Sequence, residues 1–138
     1  MNFSTLFRLG ENLNLDRKTL ITLRWIAIFG QFTAINLVYF YLKLEFPILY
    51  AYFIISFGFC TNLFLQFKIK SIQLKEFYSG LFLIYDLIQL SLLLYLTGGI
   101  SNPFSILMII PTIVSSTFLS VGTTIILGIF TIFFLFLL

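Results

Sequence analysis

The stretch YDLIQLSLLLYLTGGISNPF, residues 85–104, is an apolar run that carries one acid, Asp86, and closes in a turn. The turn is made of residues that stop one helix and start another. Gly98-Gly99 supplies backbone able to take positive φ, which ends a helix through a left-handed cap. Asn102-Pro103 is the complementary start, because Asn is a preferred N-cap and Pro is tolerated at the first helical position. The five residues from Gly98 to Asn102 therefore predict a tight hairpin between two antiparallel helices.

The solvent for those helices is lipid. The chain has 138 residues, 60% hydrophobic and 9% charged, with mean hydropathy +1.09, whereas about 25% of a soluble domain is charged. Several runs reach the ~20 apolar residues that cross a bilayer core. The expected fold is all-α, a polytopic transmembrane helix bundle of about five spans: 20–42, 46–67, 77–97, 103–119 and 123–138. Residues 1–19 form a polar, mixed-charge leader lying at the membrane surface, and residues 20–138 form one membrane domain. The leader is too charged, and the run after it too long, for a cleavable signal peptide.

Basic residues orient the spans. Placing the leader and second loop inside gathers Arg8, Arg17, Lys18, Arg24, Lys68, Lys70 and Lys75 on the cytoplasmic side, leaving Lys43 opposite. The positive-inside rule expects this asymmetry. It puts the N-terminus in the cytoplasm and the Gly-Gly turn on the outer face. The net charge of +3 thus reports membrane orientation and not a nucleic-acid partner. As one helix, Pro103 to Leu138 would be about 54 Å long, too long for a single pass. Two passes must meet near Ser120-Val121-Gly122, a break with no charge to mark it. The apolar ending at Leu138 reads as a truncation within the fifth span.

Several residues invite functional roles. Arg24 and Trp25 read as an interfacial anchor at the start of the first span. Ala27, Gly30 and Ala34 mark close approach of another helix, and Gln31 and Asn36 read as polar glue between helices. Asp86, about 18 Å along the helix from Gly98, is an intramembrane acid and so a functional candidate. Desolvation favours its neutral form, and Gln89, three residues on, shares its face. Pro111 removes a backbone bond and crowds Leu107, predicting a kink. Ser115, Ser116 and Thr117 after it would admit a neighbouring helix. The single cysteine, Cys60, reads as a small buried hydrophobe. With no histidine, the usual zinc and haem ligand sets and a phospho-accepting histidine are absent. No metal site is expected.

At the turn, free N–H groups and the positive end of a helix dipole meet the membrane interface. A carbonyl of an apolar ligand can accept hydrogen bonds there, with Phe104 and Tyr95 offering aromatic faces. A lipophilic quinone fits that description.

Gly98-Gly99-Ile100-Ser101-Asn102-Pro103-Phe104 resembles the Gly-Gly-x-x-Asn-Pro-Phe heptapeptide of the RegB/PrrB-type redox-sensing histidine kinases. Tyr85 to Leu90, Leu93 to Thr97, Leu23-Arg24-Trp25 and Gly30-Gln31 resemble the same family, and the likeness covers roughly residues 20 to 120. It implies a six-helix parent in the bacterial inner membrane, followed by a cytoplasmic kinase core. It implies a ubiquinone site at Gly98, Gly99, Asn102, Pro103 and Phe104; the residues themselves add Tyr95, Asp86 and Gln89 as further candidates. It also implies a homodimer that autophosphorylates from ATP and passes the phosphoryl group to a response regulator. The sixth helix, the phospho-accepting histidine, the ATP site and the family's redox cysteine are not in these residues, so the chain carries no catalytic residues and reads as the input domain. Two rivals differ in class. One is an ion-coupled transporter fragment that uses Asp86 as proton carrier; the other is a structural subunit of a respiratory complex.

Overall fold

A computed structural model describes residues 16–72 and 74–138; most of the leader expected over residues 1–19 lies outside them. Among the described residues the chain is all helix. α1 runs Arg17–Asn36 and continues as a wider π turn, Leu37–Tyr41. α2 is Ile48–Lys68 and α3 is Glu76–Leu96. A 3₁₀ turn at Gly99–Ser101 and a 3₁₀ helix at Pro103–Ile109 lead into α4, Ile110–Phe118; α5 is Val121–Leu137.

Three of these helices, counting α1 with its π turn, are long and apolar enough to cross a membrane, and two shorter apolar helices follow. The side chains are arranged inside out relative to a water-soluble fold. Phe29, Phe53, Phe67 and Phe136 face outward, while Arg24, Asn62, Gln89, Asn102, Ser115 and Thr131 are buried. In water this distribution would expose far more apolar surface than a monomer tolerates. In lipid it is the expected one, because polar groups then find partners only within the bundle. This is a membrane protein.

α3 is the axis of the bundle. It is the most buried of the three long helices, well ahead of α1 and α2. It packs on α2, α4 and α5, while α1 leans chiefly on α2. Polar pairs set the register. The Tyr52 hydroxyl donates to Asn36 Oδ1 at 2.7 Å, joining α1 to α2 as expected of Asn36. Thr112 pairs with Thr131 at 2.9 Å and Ser115 with Thr124 at 3.0 Å, stapling α4 to α5.

The loops separate into two ends. At one end the Arg17 N–H donates to the Ile72 carbonyl at 3.2 Å and its side chain to the Ile69 carbonyl, beside Lys68, Lys70 and Lys75. Glu76 lies at this end too, accepting from the Ser120 N–H at 3.1 Å and from the hydroxyls of Ser120 and Thr123. The link that lacks a charge of its own therefore takes one from α3. At the other end lie Lys43 and the Gly98–Asn102 turn. The helix directions thus agree with the charge-derived topology.

Pro111 acts differently from a mid-helix kink. In an α-helix its missing N–H would leave the Leu107 carbonyl unpaired. Here the segment before it is wound as 3₁₀, so Leu107 accepts from Ile110 instead, and Pro111 falls in the first turn of α4, where no N–H is needed.

Three packing expectations are corrected. A Cβ built on Gly30 meets nothing within 4 Å, so this glycine faces open space and no helix approaches it. Ser116 and Thr117 are exposed and bond to their own helix at Ile113; only Ser115 makes the interhelical contact. Cys60 is exposed rather than buried, because it lies along the open groove that it lines with Trp25, Phe29 and Ser56.

Candidate functional site

The turn is built on Asn102, which is 5% exposed. Its Oδ1 accepts from the Phe104 N–H at 2.9 Å, capping the helix that begins at Pro103. Its Nδ2 donates to Thr97 Oγ1 at 2.7 Å and to the Thr97 carbonyl at 3.2 Å. Thr97 in turn donates its hydroxyl to the Leu93 carbonyl at 2.8 Å. One amide side chain therefore ties the end of α3 to the start of the next helix.

Gly98 and Gly99 both take positive φ, +115° and +63°. At Gly99 a Cβ would also lie 2.7 Å from the Leu138 carbonyl. Pro103 occupies the first helical position and is exposed. Phe104 is half-buried, packed on the cluster of Leu87, Leu90, Leu94 and Met108.

Two expectations about the turn change. The N–H groups at the helix start are not all open, since Phe104 N–H is held by Asn102 Oδ1 and Ser105 N–H by the Asn102 carbonyl. Tyr95 is 70% exposed and points out of the bundle, so the structure does not bring it to Phe104. Beneath the turn lies a cavity of about 30 Å³ lined by Thr97, Asn102, Phe104, Leu107 and Gln31. That volume holds about one water, not a ring.

The acid is engaged with a partner that lies far away in sequence. Arg24 Nε donates to Asp86 Oδ1 at 3.0 Å, an ion pair between α1 and α3. Arg24 Nη2 donates to Thr61 Oγ1 at 2.9 Å on α2. The guanidinium carbon also lies 5.0 Å from the Phe82 ring centre and 5.5 Å from that of Tyr85, within cation–π range. Arg24 is 2% exposed and is a structural hub of three helices, not a headgroup anchor.

Gln89 also pairs away from Asp86. Its Nε2 donates to Gln31 Oε1 at 2.8 Å, a second rung between α1 and α3 above the ion pair. Asp86 and Gln89 share a face of α3, as their spacing implies, and each finds its partner on α1. Gly58, not singled out from sequence, makes the room: a Cβ there would overlap the Gln89 carboxamide. Gly58→Ala should therefore cost about 1–2 kcal/mol through overpacking, read as a lower unfolding temperature in detergent. No group of three or more metal-ligating side chains occurs among the described residues.

The turn and the ion pair are connected. The small cavity under Asn102 shares Gln31, Leu90 and Leu107 with a larger cleft of about 250 Å³ that reaches Arg24 and Asp86.

Compared with known proteins, the chain is 39% identical over 112 residues to the sensor histidine kinase RegB of Cereibacter sphaeroides, a stretch that is 80% of this chain and 24% of that protein. The chain is a relative of the RegB-type sensor histidine kinases. It spans about a quarter of the length of the RegB it matches. No protein-family model and no solved structure matches the chain. The RegB-type likeness therefore rests on sequence over four-fifths of the chain.

Proposed function

We propose that this chain is the membrane input domain of a two-component sensor histidine kinase, and that it senses the redox state of the quinone pool through the turn between α3 and the helix beginning at Pro103. The similarity to a sensor histidine kinase over 80% of the chain is the observation that carries the reading. Gly98, Gly99, Asn102, Pro103 and Phe104 form the ligand turn, with the quinone carbonyl lying against its backbone from the lipid side. Asp86 and Gln89 act below it, through α1, and Tyr95 faces lipid.

The reading includes a multi-pass protein of the bacterial inner membrane with the basic end cytoplasmic. It calls for a homodimer and for a kinase core in the same polypeptide, beyond Leu138, that uses ATP and passes a phosphoryl group to a response regulator. Signalling is a population shift: the quinone form that binds one helix arrangement better biases the kinase. The proton-carrier alternative is less well supported, because Asp86 is tied to Arg24 and does not stand alone in the bundle.

The test is autophosphorylation of the whole protein in liposomes of fixed ubiquinone content, with the pool oxidised or reduced. The wild type should respond to the redox state and Asn102→Ala should not. The same response in both would return the turn to a plain helical hairpin. Proton flux that depends on Asp86, without kinase activity, would favour the transporter.

A further inference from the structure

At the basic end of the bundle Arg17 gathers the other cations. Its backbone N–H donates to the Ile72 carbonyl at 3.2 Å and its guanidinium to the Ile69 carbonyl. The start of α1 is thereby drawn onto the link between α2 and α3. Lys68, Lys70 and Lys75 lie along that link and Lys18 follows Arg17, and all four lysines are exposed.

The fold itself makes little use of these lysines. Among the described residues this end carries two acids, Asp16 and Glu76, and neither forms an ion pair. Glu76 is taken up by Ser120 and Thr123. Only Lys68, in the last turn of α2, is favoured by a helix dipole. Lys18 lies in the first turn of α1 and Lys75 at the N-cap of α3, where a helix favours an anion. The bias that sets basic residues on one side of a membrane accounts for their number, and not for their gathering round one loop.

Apolar side chains share the rim and select the partner. Ile72, in the middle of the loop, is 82% exposed, and Phe67 and Phe77 are exposed at the ends of α2 and α3. Tyr78, packed edge-on against Phe77, has the amphipathic ring that settles at a membrane–water boundary. Lysines reach headgroups from such a position while their stems stay in the apolar layer. A soluble phosphate would leave Ile72 in water; a lipid offers it acyl chains. We propose that this rim is a binding site for an anionic phospholipid. The phosphate sits among Lys18, Lys68, Lys70 and Lys75, and Ile72 enters the acyl-chain region. The Gly98–Asn102 turn lies at the other end of the bundle, so the site does not rest on quinone capture there.

The test is photolabelling of the whole protein in phosphatidylcholine nanodiscs doped with diazirine-bearing phosphatidylglycerol, with labelled peptides mapped by mass spectrometry. Residues 67–78 should label saturably, and unlabelled phosphatidylglycerol should compete where phosphatidylcholine does not. Lys70→Gln should raise the half-saturating phosphatidylglycerol content about fivefold, the weight of one basic residue near an anionic surface. Lys68→Gln, Lys70→Gln and Lys75→Gln combined should abolish saturation, with helical circular dichroism as in the wild type. Lys43→Gln, at the other end, should change nothing. Equal labelling by a diazirine-bearing phosphatidylcholine, or saturation that survives the triple change, overturns the proposal. So does displacement of the probe by inorganic phosphate at matched ionic strength, which would assign the lysines to a soluble anion.

Discussion

Asp86→Ala should destabilise the bundle by about 3–5 kcal/mol, the penalty for stranding a buried charge by removing its partner. Arg24 is 2% exposed and would keep only Thr61 and two aromatic faces. Its other hydrogen bond is to the lost carboxylate. The measurement is thermal unfolding in detergent, followed by helical circular dichroism. A second variant separates loss of the ion pair from general damage. Arg24→Met combined with Asp86→Leu removes both charges and refills the volume with apolar atoms, a replacement that is often neutral or stabilising. The double variant should recover most of the stability lost by Asp86→Ala. If it unfolds as readily as the single variant, the site is held by packing and not by charge.

The contrast between Asn102 and Arg24 shows what a single sequence carries. The hairpin was legible because its signals are local. Positive φ at Gly98 and Gly99, the Asn102 cap and Pro103 at the first helical position all appear as read, within six residues. Arg24 was misread because the local signal points elsewhere. An Arg-Trp pair near the start of an apolar run looks interfacial. The helix, however, begins at Arg17, and seven further residues carry Arg24 about 10 Å inward. Nothing near residue 24 names residue 86 as its partner. The usable clue was arithmetic over the whole membrane region: one intramembrane acid and one misplaced cation are cheapest to bury together. The shared face of Asp86 and Gln89 likewise names neither partner. Side chains three apart share a face, but what that face meets is settled by α1. Gly30 and Gly58 look alike in sequence and differ in role, since one borders open space and the other admits the Gln89 side chain.

Glu76→Ala should loosen the α4–α5 link and lower stability by about 2–3 kcal/mol, given that hydrogen bonds to a charged group are worth roughly 1.5–3 kcal/mol each when sheltered and less near water. Glu76 accepts from the Ser120 N–H, the Ser120 hydroxyl and the Thr123 hydroxyl. It thereby adds a negative charge at the positive end of α5. Ser120 alone caps α5 more weakly, its Oγ lying 3.3 Å from the Thr123 nitrogen. Hydrogen exchange at residues 119–124 is the direct readout: protection should fall in Glu76→Ala and be partly restored in Glu76→Gln, whose amide oxygen still accepts. Equal protection in wild type and Glu76→Ala would show that the hydroxyl staples between α4 and α5 hold the link without help. The loss matters beyond stability because α3 carries the turn at one end and Glu76 at the other. A rigid α3 that shifts at Thr97 moves Glu76, and Glu76 is bonded to the start of α5. Cutting that bond should leave the outer turn intact and loosen α5 at its start alone, since α5 also packs along α3 and its end lies against Gly99. Under the proposed function, the Asn102-dependent response should then weaken in part without any change near Asn102.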